Sequence, residues 1–352
     1  MEPTFAGRFG VSRRARGSHK GVGMRRVPVV TVVGTVLLAL LASAFTVGTG
    51  NAQERPVRAD DGARVVAERH VGPRQLDLTI DSPALGTTAH VRLLTPDGWS
   101  PGRHDWPALW LLHGCCGGYA DWTKYTDVAQ LPELRRTLVV MPEAGAAGWY
   151  SNWWNYGKGG APRWETFHLT EVKQITERGY GAGGRRVAAG LSMGGFGALS
   201  YAAHHPGFFR AVASYSGTVH PLLQVPGGFG PDWFLNLDRQ VGADPYAIWG
   251  DPVRQRAVWA AHDPTVQASS LRGLPVFLSC GNGKPGGPHD PPGTKDPNEA
   301  YFEQQNRALA ARLRALGSPA VTDFYGPGIH EWPYWQRELH RSLPLLLTAL
   351  GA

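Results

Sequence analysis

Val187-Ala188-Ala189-Gly190-Leu191-Ser192-Met193-Gly194-Gly195-Phe196-Gly197-Ala198-Leu199 is a short apolar run, a Gly-x-Ser-x-Gly pentapeptide and the start of a small-residue helix. A serine in that setting sits on a sharp, strained strand-to-helix turn. Small residues two positions to either side let the chain fold that tightly. Gly190 and Gly194 are those residues around Ser192. The turn lifts the hydroxyl clear of the strand ends and sets a helix N-terminus beneath it. The Met193 N–H then points toward an oxyanion developing on a carbonyl that the serine attacks. Ser192 is therefore the candidate nucleophile and Met193 a candidate oxyanion donor. In a chain with 46 glycines such a pentapeptide also arises as an ordinary turn; the strand and helix on its flanks favour the catalytic reading.

Outward from this point, apolar runs alternate with helical stretches. Gln75 to Ile80 and Ala89 to Leu94 alternate apolar and polar residues, the pattern of early antiparallel strands. Leu109 to Leu112, Leu138 to Met141, Val187 to Ala189, Ala211 to Ser214 and Val276 to Ser279 are continuous apolar runs, the pattern of central buried strands. Helices are expected over Thr166 to Arg178, Gly195 to His204, Glu299 to Leu316 and Tyr334 to Leu350, the last kinked or broken at Pro344. The alternation predicts an α/β fold, a mostly parallel sheet with helices on both faces. The Trp-, Pro- and Gly-rich segment at about 220–270 is expected to be a lid or pocket wall over the strand ends.

The first 52 residues read as a leader outside that domain. Seven Lys/Arg form a basic region, Val27 to Val47 is uncharged and apolar, and Gly50-Asn51-Ala52 supplies small residues for cleavage after Ala52. Met24 is an alternative start, and retention of the apolar run as a membrane anchor is the alternative to cleavage. Residues 53–352 then form a single catalytic domain, secreted or held at the cell envelope. The leader carries seven of the 35 basic residues and one of the 28 acids, so the remaining chain has a net charge of +1. Nucleic acid is excluded as a partner, because no basic stripe remains. Three cysteines are too few for a disulfide framework. A bridge between adjacent Cys115 and Cys116 requires a distorted peptide, and the sequence leaves the state of that pair open. Cys280 ends an apolar run and reads as a buried small hydrophobe.

A nucleophilic serine needs a base, and the base an orienting acid. Among 13 histidines, His330 fits best: it follows the apolar segment Val321 to Tyr325 and the turn Gly326-Pro327-Gly328, and precedes the last helix. His204 and His205 end the helix after the serine, where they cap carbonyls and favour the dipole. No histidine pair has zinc-ligand spacing, and no metal or cofactor is expected. By position the acid is one of Asp290, Asp296, Glu299 and Glu303. Leu111-Leu112-His113-Gly114-Cys115-Cys116-Gly117-Gly118 is a strand running into His-Gly and glycines, the loop that offers a second oxyanion N–H; Cys115 is the candidate donor. The chain's 13 tryptophans, several in Trp149 to Trp154, divide between a cleft lining and core packing.

Several segments together resemble the antigen 85 mycolyltransferases, within the esterase D-type family of α/β hydrolases. They are Gly190-Leu191-Ser192-Met193, Trp164-Glu165-Thr166-Phe167, Ile248-Trp249-Gly250, Cys280-Gly281-Asn282-Gly283-Lys284-Pro285 and His330-Glu331-Trp332-Pro333-Tyr334-Trp335. They span roughly 74 to 345. The resemblance implies an α/β-hydrolase fold and a Ser-Glu-His triad: Ser192 as nucleophile, His330 as base and, through Tyr301-Phe302-Glu303, Glu303 as acid with Glu299 in reserve. It also implies Cys115 and Met193 as oxyanion donors and Trp332 beside the acyl cleft. The chain departs from the family where an Asp and an Arg help to hold sugar; His113 and Cys115-Cys116 stand there instead. His113 is thus expected to line the substrate cleft with different chemistry.

These expectations describe an exported serine esterase or acyltransferase working through an acyl-enzyme on an ester, with water or a lipid or sugar hydroxyl as acceptor. A trehalose mycolyltransferase is the narrower alternative. A catalytically inactive extracellular binding protein on the same scaffold is the alternative of another class.

Overall fold

The computed structural model describes residues 57–351 except 101 and 228; the leader and its cleavage point lie outside the described residues. Nine strands build one sheet: β1 (Arg64–Gly72), β2 (Gln75–Ser82), β3 (Thr87–Leu94), β4 (Trp106–Leu112), β5 (Leu138–Pro142), β6 (Ala182–Leu191), β7 (Val212–Tyr215), β8 (Val276–Cys280) and β9 (Val321–Phe324). Their order across the sheet is β1-β2-β3-β5-β4-β6-β7-β8-β9. The first three pair antiparallel, and β3 pairs antiparallel with β5. From β5 onward every pairing is parallel. β1 was not legible as a strand because most of its side chains face solvent, which removes the apolar signal.

The continuous apolar runs take the middle of the sheet because both of their faces are covered. In β4, Trp110 and Leu112 enter one core cluster while Leu109 and Leu111 enter the other, as alternate residues of a strand must. The helix α4 (Met193–His204) supplies Phe196, Ala198 and Leu199 to the first cluster. The helix α9 (Trp332–Leu350) supplies Leu339, Leu343 and Leu346 to the second.

This layering positions the functional loops. Leu112 of β4 pairs with Gly190 of β6, Leu191 of β6 with Tyr215 of β7, and Tyr215 with Ser279 of β8. The carboxyl ends of four neighbouring strands are therefore in register. The residues that follow them, His113, Ser192, Ser216 and Gly281, emerge along one edge of the sheet, where an open parallel sheet builds its crevice.

Two helices differ from the sequence expectation. The stretch expected as one helix over Thr166 to Arg178 is a short α-turn (Trp164–Thr166), a π-helical segment (Phe167–Val172) and an α-helix (Lys173–Gly179). The wider turn lets two polar side chains point inward together. His168 joins the Tyr201 hydroxyl, 2.6 Å, and the Glu143 carbonyl, 2.8 Å. Glu171 accepts from Ser82 Oγ, 2.5 Å, and the Ala84 N–H, 2.7 Å. The last helix runs unbroken through Pro344. Pro344 lies on its exposed face, where water can satisfy the carbonyl that loses its partner.

The segment 220–270 forms three short helices, Pro231–Gln240, Pro245–Ile248 and Arg256–His262. Its tryptophans are mostly core: Trp249 and Trp259 are buried and pack in tilted and edge-to-face contacts with each other and with Trp149, Phe196 and Phe234. Trp149 and Trp249 donate to Asp238 and Ser151 respectively.

A proline inside a helix is intrinsically about 3 kcal/mol worse than alanine, offset by about 1 kcal/mol through its stiffening of the unfolded chain. Pro344→Ala is accordingly expected to stabilise the protein by about 2 kcal/mol, read as a higher urea midpoint with unchanged m-value. A lower midpoint would mean that the ring packs usefully against its neighbours.

Candidate active site

Ser192 has φ 52° and ψ −119°, a conformation that serine rarely adopts. It occupies the N-cap of α4, yet its hydroxyl makes no cap bond. Its Oγ has no hydrogen-bond partner among the described residues. The turn is held through main-chain bonds: the Ser192 N–H donates to the Tyr215 carbonyl, 2.9 Å, and its carbonyl accepts from Phe196, 3.1 Å. A Cβ on Gly190 would strike the Gly194 carbonyl, and one on Gly194 the carbonyls of Leu112 and His113. Sterics therefore require glycine at both flanking positions.

His330 follows β9 and is fastened to the start of the helix α8 (Pro297–Ala315). Asp296 caps that helix, accepting at Oδ1 from the N–H groups of Asn298 and Glu299. Its other oxygen accepts from the His330 N–H, 2.9 Å. The imidazole thereby meets the first turn of α8, where His330 Nδ1 lies 2.7 Å from Glu299 Oε2. The carboxylate partner places the ring proton on Nδ1 and leaves Nε2 with its lone pair. Phe302 and Trp335 flank the ring with centroids at 4.9 and 4.8 Å.

The carboxylate that meets His330 is Glu299 and not the expected Glu303. Glu303, the residue implied by the resemblance, lies one turn further along α8, and its Oε1 accepts from Arg307, 2.8 Å. Glu299, the reserve, is wholly buried. Its Oε1 accepts from Ser216 Oγ and the Gly281 N–H, both at 2.7 Å, and from Cys280 Sγ at 3.2 Å and Tyr325 OH at 3.4 Å. Burial, then the Glu299 charge, push the Cys280 thiol and the Tyr325 phenol up, so both keep their protons and act as donors. Trp335 Nε1 donates to Ser216 Oγ, 3.2 Å, and closes the network. Ser192 Oγ and His330 Nε2 share no hydrogen bond in this structure; Ser192 follows β6 and His330 follows β9, parallel strands whose carboxyl ends lie on one edge of the sheet.

The loop after β4 is braced from below. The Ala144 N–H donates to His113 Nε2, 2.9 Å, so Nδ1 carries the proton and donates to the Gly114 carbonyl, 2.7 Å. Tyr150 OH donates to the His113 carbonyl, 2.9 Å. His113 was expected to line the cleft; at 1% exposure it is instead an internal pin. The Cys116 N–H is taken by the Ala146 carbonyl, 3.0 Å. The N–H groups of Cys115 and Met193 donate to no acceptor among the described residues. Trp332 is half-buried between Trp122, Trp335 and Tyr125, with centroids at 5.4, 5.2 and 5.0 Å. His205 is the C-cap of α4, its N–H donating to the Tyr201 carbonyl, 2.9 Å, and the imidazoles of His204 and His205 both approach Glu165, at 3.1 and 2.7 Å.

Asp296 and Ser216 were missed as partners. A signal for Asp296 was present: Asp-Pro begins a helix with Asp at N-cap and Pro at N1. That count puts Glu299 at N3, facing the loop that precedes the helix, and Glu303 a turn away. Ser216 carries no local signature, because its role comes from strand register.

The model of the Esterase family, described as "Putative esterase", matches residues 82–346. The diacylglycerol acyltransferase/mycolyltransferase Ag85A of Mycobacterium ulcerans is 30% identical, covering 96% of each chain. Esterase Rv1288 of Mycobacterium tuberculosis is 31% identical over 73% of this chain and 56% of its own length. Among solved structures, MPT51 (FbpC1) of Mycobacterium tuberculosis matches with TM-score 0.64 at 25% identity, over 79% of this chain and 100% of that one. An S-formylglutathione hydrolase from Agrobacterium tumefaciens matches with TM-score 0.61 at 13% identity, over 82% and 99%. The fold is that of the α/β hydrolases.

Removing Glu299 strands several buried donors, each costing about 1–3 kcal/mol without an acceptor. Glu299→Ala is expected to lower stability by about 3 kcal/mol or more in urea unfolding. Glu303→Ala removes a surface i,i+4 pair and is expected to cost under about 1 kcal/mol. Equal losses would contradict the assignment of the buried network to Glu299.

Proposed function

The chain belongs to the esterase family, and from that premise we propose that it is an exported serine esterase or acyltransferase working through an acyl-enzyme on Ser192. The observation that carries this reading is the bond between buried Glu299 and His330, at the same edge of the sheet as a strained serine whose hydroxyl does not cap its helix. In this reading Ser192 Oγ attacks the ester carbonyl while His330 Nε2 takes its proton. The proton passes to the departing alcohol as the tetrahedral intermediate collapses. Glu299 fixes the tautomer and stabilises the imidazolium. The N–H groups of Met193 and Cys115 receive the developing oxyanion; one such donor is worth about 2.7–4 kcal/mol of barrier.

Water or a hydroxyl acceptor then resolves the acyl-enzyme by the same steps in reverse. The similarity to mycolyltransferases supports transfer to a sugar or lipid hydroxyl as a second reading. Trp332 and the exposed Tyr125 stand as an aromatic wall for such an acceptor. The basic and apolar character of residues 1–52 supports export, and the three helices of segment 220–270 are read as the wall of the crevice.

The test is p-nitrophenyl ester turnover by residues 53–352, with and without a sugar acceptor. Ser192→Ala is expected to lose on the order of 10⁴-fold or more in kcat. Glu299→Gln is expected to approach that loss, by analogy with other triad acids, while Glu303→Gln stays within about 3-fold. Product analysis separates hydrolysis from transfer. A wild-type protein inert on short and long acyl esters alike overturns the enzymatic reading in favour of a binding protein.

A further inference from the structure

The loop beside Ser192 carries two thiols that the ester chemistry does not use. Cys115 and Cys116 are adjacent and unbridged; Cys115 is half-buried and Cys116 exposed. Cys116 has φ 64°, a left-handed conformation that cysteine rarely adopts, held by its N–H bond to the Ala146 carbonyl. Interaction with Cys116, then burial, pushes the Cys115 thiol up. Interaction with Cys115 pulls the Cys116 thiol down against its own desolvation. An exposed sulfur on the residue next to a less exposed, protonated thiol is the arrangement of an attacking and a resolving cysteine. Cys280, at 0% exposure beneath Glu299, offers no such access.

We propose that Cys115–Cys116 is a thiol–disulfide exchange site built into the oxyanion loop, and that closing it switches off the ester chemistry. Its substrates are low-molecular-weight disulfides. The Cys116 thiolate attacks one sulfur of the disulfide, forming a mixed disulfide and releasing one thiolate. Cys115 then gives up its proton to solvent, and its sulfur attacks Cys116 Sγ, expelling the second thiolate. Two protein thiols are oxidised, one external disulfide is reduced to two thiols, and the balance closes without another oxidant.

The coupling to catalysis is geometric. Consecutive Cα atoms lie about 3.8 Å apart across a trans peptide, shorter than the 4.4–6.8 Å usual for bridged cysteines. Closing the ring therefore twists the peptide between the two residues. That peptide carries the N–H now bound to Ala146, and it adjoins the Cys115 N–H assigned to the oxyanion. A strained bridge of this kind is readily reduced, so the change is reversible.

The switching half of the proposal rests on the esterase reading; the exchange half does not. The experiment treats the full chain with glutathione disulfide and follows intact mass, peptide mapping and ester turnover together. Wild type is expected to lose two hydrogens at Cys115–Cys116 and about 10²-fold in rate, the loss typical of one oxyanion donor, with both restored by dithiothreitol. Cys116→Ser should keep its basal rate and show neither change. Cys115→Ser should stop at a glutathione adduct on Cys116. Absence of the bridge in wild type, or an adduct on Cys280 instead, overturns the exchange site. A bridge that forms without a fall in rate overturns the switch. If untreated wild type shows no ester turnover, the esterase reading has failed, and the mass readout still decides the thiol site.

Discussion

The structure around the crevice depends on one buried carboxylate. Glu299 is fully buried, and its single ionic partner among the described residues is His330. Burying a carboxylate costs several kcal/mol unless donors replace its water. Here the donors come from four places: the loop after β7 through Ser216, the end of β8 through Cys280 and Gly281, the segment after β9 through Tyr325, and His330 itself. Satisfying one charge therefore ties together the carboxyl ends of three strands and fixes the ring that would act as base. Asp296 performs the complementary task for the main chain, joining the start of α8 to the His330 amide.

Against this rigid side stands a strained one. Ser192, Cys116 and Ser216 all have positive φ at the carboxyl edge of the sheet. Such conformations persist only where the surroundings over-determine them. The surroundings are visible: Ser192 and Ser216 are held by main-chain bonds to neighbouring strands, and the loop after β4 by His113, Tyr150 and Ala146. His168, in the π-helical segment, extends the brace to Glu143. The proposed oxyanion donors are thus supported by a polar framework beneath the loop, which holds their N–H groups in place before any substrate arrives.

Much of this was legible from sequence, for identifiable reasons. The central strands announced themselves because residues buried on both faces leave an uninterrupted apolar run, as in Trp110-Leu111-Leu112. The elbow was legible because sterics leave glycine alone at 190 and 194. The carboxylate partner of His330 was not, because Glu299 and Glu303 share one face of α8 and the choice depends on where His330 is tethered. His113 was misplaced because the expectation rested on its standing where the resembled family holds sugar, whereas here its ring is consumed by Ala144 and Gly114. The exposed strand β1 escaped because solvent contact removes the apolar cue, and the unbroken passage through Pro344 because water can satisfy the carbonyl that the ring frees, so the helix bears the penalty without breaking.

The central claim is that Glu299, through His330, activates Ser192. A fluorophosphonate reports on this directly, since it phosphonylates only an activated serine and marks the residue for mass spectrometry. The account predicts a single adduct on the Ser192 peptide in wild type and Glu303→Gln, formed at similar rates. It predicts labelling slower by on the order of 10²-fold or more in Glu299→Gln. Equal labelling of the Glu299 variant, or a fall confined to the Glu303 variant, would contradict it.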